Sequence, residues 1–124
     1  MIQRPYRVLV CGGRDYSDYE YLASALDAIH RARPLRPITC IIHGGARGAD
    51  SLAGKWAFER NVQVQVFMAD WNAHRLGAGP IRNQKMIDEG EPDLVIAFRG
   101  GRGTADMIAR TRRAGIDLIT QRAA

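Results

Sequence analysis

Phe98-Arg99-Gly100-Gly101-Arg102-Gly103-Thr104 joins an apolar run, residues 93–98, to a segment with helical spacing that begins at Thr104. The glycines let the backbone turn tightly and come close to a ligand, and Thr104 is expected to cap the helix. A strand, a glycine loop and a helix N-terminus in this order form an anion-binding arrangement. Glycine loops are common, so the interpretation depends on what accompanies this one along the chain.

The same succession of apolar run and helical segment continues through the chain. Strands are predicted at five apolar runs, residues 6–11, 38–43, 62–66, 93–98 and 116–120. Helices are predicted from Ser17 to about Arg33, up to about Arg60, from Ile81 to Glu89 and from Thr104 to Ala114. Ser17 and Glu20 have the spacing of a capping box at the start of the first helix. Residues 69–80 show no clear periodicity and are predicted to form the longest loop.

This alternation predicts an α/β fold. We expect a single Rossmann-like domain over residues 1–124, with a parallel five-stranded sheet and helices on both faces. Valine and glutamine alternate over residues 62–66, which places the third strand near the sheet edge. The loops that follow strands one, two and four then meet at the carboxyl edge of the sheet, where folds of this kind bind ligands.

The composition is that of a soluble globular protein, with 46% hydrophobic and 25% charged residues. We recognise neither a membrane-spanning apolar run nor a secretion signal, so no membrane partner is expected and the predicted location is cytoplasmic. Cys11 and Cys40 fall in strand-like runs and are expected to be buried thiols. Neither the cysteines nor the histidines have the spacing of a metal site, so no metal ion and no cofactor are expected.

The net charge of +5 raises the question of nucleic-acid binding. Only two of the 18 basic residues are lysines, and a general bias toward arginine explains those on predicted helix faces. The arginines beside glycine loops are a different matter, because planar two-pronged donors suit phosphate. They are Arg14, Arg47, Arg99 and Arg102.

Three glycine-arginine loops on one sheet edge exceed what turns require, and they favour a phosphate-bearing ligand over purely structural glycines. Arg82 joins them because an arginine at a helix start opposes the helix dipole unless an anion is nearby. Asn83 can bind a base edge or a hydroxyl, and Asp50 suits either hydrogen bonds from a helix start or ribose hydroxyls. The candidate binding residues are Gly12, Gly13, Arg14, Gly44, Gly45, Arg47, Gly48, Asp50, Arg82, Asn83, Gly100, Gly101, Arg102, Gly103 and Thr104.

Three segments together resemble the SLOG superfamily, which is named for the DNA-processing protein Smf and the Lonely Guy enzymes. Residues 43–50, His-Gly-Gly-Ala-Arg-Gly-Ala-Asp, are similar to the Gly-x-Ala-x-Gly-x-Asp signature of the DNA-processing protein. Residues 78–83, Ala-Gly-Pro-Ile-Arg-Asn, are similar to a shared Arg-Asn or Arg-Lys helix start, and residues 100–104 to the Lonely Guy Pro-Gly-Gly-x-Gly-Thr motif. The likeness is greatest to the stand-alone YspA-type branch, related to YpsA, and covers nearly the whole chain. It implies a nucleotide or nucleotide-derived ligand.

The Lonely Guy enzymes, which the chain resembles in part, hydrolyse the N-glycosidic bond of nucleoside 5′-monophosphates. The resemblance gives their catalytic arginine a counterpart in Arg82, but their glutamate corresponds to Met107. A thioether neither stabilises an oxocarbenium-like state nor activates water. Asp50, Asp15 and Asp106 are carboxylates that could replace the glutamate, although loss of the chemistry is favoured over its relocation. The catalytic candidates are therefore Arg82 and Asp50, and whether the protein is an enzyme stays open.

Three functions follow from these observations. The favoured one is binding of a nucleotide-derived small molecule, as a sensor or a processing module. The alternative is a phosphoribohydrolase of Lonely Guy type. The second alternative is a DNA-binding module, which is less favoured because the positive charge follows the ligand loops and forms no long basic run. Enzymes that resemble this chain pair through helices, so a homodimer is expected by analogy.

Overall fold

A computed structural model describes residues 5–32 and 37–121 of the chain. Strands and helices alternate throughout this part of the chain, as the sequence predicts. The strands are β1 (Arg7–Cys11), β2 (Cys40–His43), β3 (Gln63–Val66), β4 (Leu94–Ala97) and β5 (Asp117–Thr120). The helices are α1 (Tyr19–Ala32), α2 (Ala49–Glu59), α3 (Trp71–His74), α4 (Ala78–Asp88) and α5 (Arg102–Ala114), with a 3-10 turn at Arg75–Gly77 between α3 and α4.

The five strands form one parallel sheet in the order β3-β2-β1-β4-β5. The predicted α/β, Rossmann-like fold is thus confirmed. Val8 of β1 shows the register, since it pairs with Ile41 of β2 on one side and with Leu94 of β4 on the other. The strand order reverses between β1 and β4, so the loops after these two strands diverge and leave a crevice at the carboxyl edge.

Side chains that alternate along the central strands fill two apolar layers, one on each face of the sheet. Val8 and Val10 of β1 belong to the layer that α1 and α2 cover, whereas Leu9 and Cys11 belong to the layer covered by α4 and α5. Because both faces are covered, the central strands are continuous apolar runs with a strand's two-residue period. β3 lies at the sheet edge, as predicted, and Val64 and Val66 are exposed there.

The segment predicted to be the longest loop is largely helical, so that prediction is wrong. Asp70 caps α3, and its Oδ1 accepts a hydrogen bond of 3.0 Å from the backbone N–H of Ala73. The 3-10 turn follows, and α4 begins at Ala78, three residues before the predicted start at Ile81. A four-residue helix is too short to show periodicity. Pro80 lies in the first turn of α4, where its missing N–H costs nothing.

Both predicted helix caps are also wrong. The first helix begins at Tyr19, and the cap is Asp18, whose Oδ1 accepts from the N–H of Tyr21 at 3.1 Å. The predicted end of this helix near Arg33 lies outside the described residues. α5 begins at Arg102, with Gly101 at the N-cap position and no side-chain cap. Thr104 is therefore a buried residue of the first helical turn instead of the cap. In the described ranges no helix is both long and apolar enough to cross a membrane.

Candidate functional site

A cleft of about 400 Å³ opens at the carboxyl edge of the sheet, at the crevice between β1 and β4. The loop after β1, the first turn of α5 and one face of α4 form its walls. The structure brings ten of the predicted site residues together here: Gly12, Gly13, Arg14, Asp50, Arg82, Asn83, Gly101, Arg102, Gly103 and Thr104.

A second cavity of about 260 Å³ adjoins the cleft and lies beside the loop after β2. The predicted residues Gly44, Gly45 and Arg47 line it, and Arg14 and Arg82 line both spaces. Two predicted site residues, Gly48 and Gly100, line neither of them. Thirteen of the fifteen predicted site residues thus line one of two adjoining cavities, which the sequence did not distinguish.

Several of the loop glycines serve to pack the loops against one another. The N–H of Gly13 donates to the carbonyl of Arg99 at 2.8 Å, and the Gly13 carbonyl accepts from the N–H of Ala49 at 3.2 Å. A Cβ at Gly48 would lie 2.1 Å from the Gly13 carbonyl oxygen, and one at Gly100 would lie 2.7 Å from the Gly13 nitrogen. These glycines have a structural role, because the backbones of the three loops approach too closely for side chains.

Gly101 and Gly103 differ from these glycines. A Cβ at either position would meet no atom beyond the adjacent residues and the helix's own backbone within 4 Å, and both residues line the cleft. They belong to the start of α5, whose first amide groups have no intrahelical partner and here receive no side-chain cap. The first turn of α5 thus presents unblocked N–H groups and the positive end of the helix dipole to the cleft.

Asp50 is the one carboxylate among the described residues that line the cleft. Its Oδ2 accepts hydrogen bonds from the N–H groups of Gly44 at 3.0 Å and Ala46 at 3.2 Å. It therefore holds the loop before α2, whereas the sequence suggested amides of the helix start. Burial raises the pKa of Asp50, and the two amide bonds and the Arg82 charge offset part of this rise.

Arg82 lies half-buried over Gly44. Its Nη1 donates to the Gly44 carbonyl at 2.6 Å, and its Nε donates to Oδ1 of Asn83 at 3.0 Å. Because α4 begins at Ala78, Arg82 is its fifth residue, so the argument from an arginine at the helix start was wrong. Burial lowers the pKa of Arg82, Asp50 raises it and the like charge of Arg14 lowers it further. The guanidinium groups of Arg14 and Arg82 are thus close enough to repel each other, beside the single carboxylate of Asp50.

Asn83 connects the two helices that border the cleft. Its Nδ2 donates to the Gly103 carbonyl at 3.2 Å and to Oδ2 of Asp106 at 2.9 Å, while its Oδ1 accepts from Arg82. It is only 4% exposed. Burial raises the pKa of Asp106, but hydrogen bonds from Arg110 and Asn83 outweigh this effect and hold the pKa below its usual value. The amide of Asn83 is thereby engaged in positioning Arg82 and the first turn of α5.

The outer wall of the cleft includes residues that the predicted site omitted. Trp71 is 47% exposed and lines both cavities, and the guanidinium carbon of Arg14 lies 5.5 Å from its ring centroid. Leu76, from the 3-10 turn, lines the cleft and is 95% exposed. In the sequence, a tryptophan within a segment without periodicity was the feature that pointed to Trp71. No sequence feature pointed to Leu76.

Among the described residues, neither the Cys11 thiol nor a metal-binding group adds a reactive centre to the cleft. Cys11 lines its floor, and burial raises the pKa of this thiol to about 12, so the thiol is protonated at neutral pH. Across residues 5–32 and 37–121, no three histidine, cysteine, aspartate or glutamate side chains form a group that could hold a metal ion.

Comparison with known proteins supplies the family. Residues 6–74 match the profile described as the YspA, cpYpsA-related SLOG family. The chain is 38% identical over 121 residues to the Gene 61 protein of Mycobacterium phage D29, covering 91% of this chain and 94% of that protein. The chain belongs to the YspA, cpYpsA-related SLOG family.

Solved structures with the same fold include two that cover most of this SLOG domain. DNA processing protein A from Streptococcus pneumoniae aligns with a TM-score of 0.75 and 16% identity, over 97% of this chain and 51% of that one. TM1055 aligns with a TM-score of 0.64 and 16% identity, over 91% and 72% of the two chains. The SLOG domain thus spans about half the length of DNA processing protein A. At such identities the likeness shows the fold.

The structure describes the surroundings of Met107, the residue that the resemblance to the Lonely Guy enzymes assigns to their glutamate. Met107 is 1% exposed, packs in the apolar layer under α4 and α5, and reaches the cleft. Of the three carboxylates that could replace the glutamate, Asp106 is bound to Asn83 and Arg110 and does not line the cleft. Asp15 is exposed and lines neither cavity. Only Asp50 of these three faces the space.

Proposed function

We propose that this SLOG domain binds a nucleotide or nucleotide-derived ligand in the cleft, with a phosphate against the first turn of α5. The observation that carries the proposal is the pair of glycines at 101 and 103. No close approach by another part of the chain requires glycine at these positions, and a side chain at either one would stand beside unblocked helix amides. Glycine there keeps the anion-binding end of α5 accessible.

The charge around the cleft supports an anionic ligand. Arg14, Arg82 and Arg102 line it, against the single carboxylate of Asp50. No aspartate or glutamate in the described ranges forms an ion pair with any of these arginines. Guanidinium groups gathered without matching carboxylates repel one another, and a phosphate between them removes that cost.

The rest of the cleft suits the remainder of a nucleotide. Trp71, Leu76 and Met86 add aromatic and apolar side chains to the polar lining. A volume of about 400 Å³ falls within the range of small-molecule sites. A base stacked on Trp71 would gain about 1–3 kcal/mol.

Calorimetric titration with nucleoside mono-, di- and triphosphates tests the proposal. Arg102 is exposed at the start of α5, so we expect Arg102→Ala to weaken binding about tenfold, the loss expected for one charge-assisted hydrogen bond. Arg31→Ala is the matched control, because it removes the same charge from an exposed site at the far end of α1. Absence of binding by every nucleotide, or equal losses in both variants, would contradict the proposal.

A second candidate function is hydrolysis of the N-glycosidic bond of a nucleoside monophosphate. The favouring observation is that Asp50 lies in the cleft wall with its pKa raised by burial, as a general acid requires. Incubation with purine and pyrimidine monophosphates, followed by chromatography for free base, tests this activity. Base release that disappears in Asp50→Asn supports it, and intact nucleotide throughout excludes it.

A further inference from the structure

The second cavity and the cleft share part of their lining. Arg14, Ala46, Trp71 and Arg82 line both spaces, so they form the boundary between two compartments of one crevice. Two of these four residues are arginines, and the charge of each lowers the pKa of Asp50. An anion at the boundary would therefore contact groups from both compartments.

The second cavity has its own chemistry. Arg47 on its rim has no hydrogen-bond or ion-pair partner within the described ranges, and Met68, 70% exposed, stands beside Trp71 in its wall. The Gly44-Gly45-Ala46 loop and Ala69 also line it. A guanidinium group, a polarisable thioether and an aromatic ring together suit a planar or sugar unit that carries negative charge.

We propose that the ligand of this crevice consists of two units joined through phosphate, with the linking phosphate at the Arg14–Arg82 boundary and the second unit in the second cavity. The proposal rests on the proposed nucleotide binding in the cleft and adds a subsite to it. The expected ligand class is a nucleotide whose phosphate is linked to a second nucleoside or sugar. The linkage is either a pyrophosphate or a phosphodiester.

Three probes test the subsite by calorimetry: AMP, with one unit; NAD⁺, with two units joined by pyrophosphate; and the dinucleotide pApA, joined by a phosphodiester. We expect at least one two-unit probe to bind the wild-type protein ten times or more tightly than AMP. The tighter of NAD⁺ and pApA identifies the linkage.

A variant that fills the second cavity tests whether the tighter binding of the two-unit probe depends on that cavity. Ala69 lines the second cavity and not the cleft, so Ala69→Leu should abolish the advantage of the two-unit probe and leave AMP affinity unchanged. Ala73→Leu is the control, because Ala73 is exposed on α3 and lines neither cavity. Thermal unfolding of both variants verifies that they fold. Arg47→Ala, which removes no hydrogen bond or ion pair within the described ranges, should lower the affinity ratio of the two-unit probe to AMP.

The outcomes separate the two proposals. If AMP binds and neither two-unit probe binds more tightly, the subsite is wrong and the cleft proposal stands. If the advantage persists in both Ala69→Leu and Arg47→Ala, the second unit lies elsewhere and the subsite is again wrong. If none of the three probes binds, the subsite is wrong, and the titration with nucleoside mono-, di- and triphosphates decides the cleft proposal separately.

Discussion

Replacement of Gly48 by alanine tests whether the loops of the crevice are locked together by backbone contact. Gly48 has φ of 75°, and its added Cβ would lie 2.1 Å from the Gly13 carbonyl oxygen and 2.7 Å from the Arg14 carbonyl carbon. Both obstacles are backbone atoms, which no rotamer change relieves. Gly115 is the control for a positive φ, since its φ is 72° with ψ of 25°, in the left-handed helical region, and its Cβ would meet no atom beyond the adjacent residues within 4 Å.

The comparison separates the cost of a left-handed helical residue, measured at Gly115, from the larger cost expected at Gly48. A left-handed conformation costs an L-residue about 1–2 kcal/mol, so Gly115→Ala should lower the free energy of unfolding by about that amount. Gly48→Ala carries at least this cost, because φ of 75° with ψ of −128° lies outside the regions open to L-residues, plus about 1–3 kcal/mol for forcing two backbones apart. We therefore expect Gly48→Ala to be destabilised by roughly 2–5 kcal/mol in total.

Urea unfolding followed by circular dichroism measures both variants, with thermal unfolding as a second assay. For a domain of this size, each kcal/mol corresponds to a shift of roughly 3–6 °C in Tm. Equal destabilisation by the two substitutions would refute the reasoning, because it would mean that the chain around Gly48 yields without cost. Gly48→Ala should also weaken ligand binding, since the loop that it displaces carries Arg14.

Two further predictions concern His43 and Trp71. Burial lowers the pKa of His43, whose Nδ1 accepts from the Gly45 N–H at 3.0 Å, so the unfolded chain binds the proton more tightly than the folded one. Its contribution to stability is thus present above about pH 6.5 and lost as the pH falls below that value. His43→Asn keeps an acceptor and does not titrate, so its free energy of unfolding should vary less between pH 7.5 and 5 than that of the wild-type protein. Identical pH profiles for the two proteins would contradict this. Trp71→Ala should change the free energy of unfolding by less than about 1 kcal/mol, because the ring is 47% exposed. If a base stacks on the ring, the same substitution should weaken nucleotide binding by about 1–3 kcal/mol. Calorimetry measures this loss, and unchanged affinity would exclude stacking.

The fold could be predicted because its evidence is local. Each central strand is a continuous apolar run, and the longer helices α1, α2, α4 and α5 repeat their buried positions, so the α/β alternation can be predicted from local patterns. The strand order β3-β2-β1-β4-β5 depends on contacts between distant segments and was not predictable. Residues 71–80 were misassigned because α3 and the 3-10 turn are shorter than the periods that reveal a helix.

The site was predicted as a set of residue types, and the structure assigns them different roles. Gly48 and Gly101 look alike in sequence, but the first packs against backbone and the second opens into the cleft. Asn83 was expected to contact a ligand, and its hydrogen bonds go to Arg82, Gly103 and Asp106. Such distinctions depend on which loops touch in space, and no spacing along one chain contains that information. The expected homodimer and the cytoplasmic location stay predictions.

The most direct test of the central claim is an amide ¹H–¹⁵N NMR titration of the protein with AMP. If a phosphate lies at the start of α5, the amide signals of residues 101–104 should shift in proportion to occupancy, since a charged acceptor changes the environment of those N–H groups most strongly. Gly115, at the opposite end of the same helix, provides the internal reference and should hardly move. Saturable binding that leaves residues 101–104 unshifted would contradict the account.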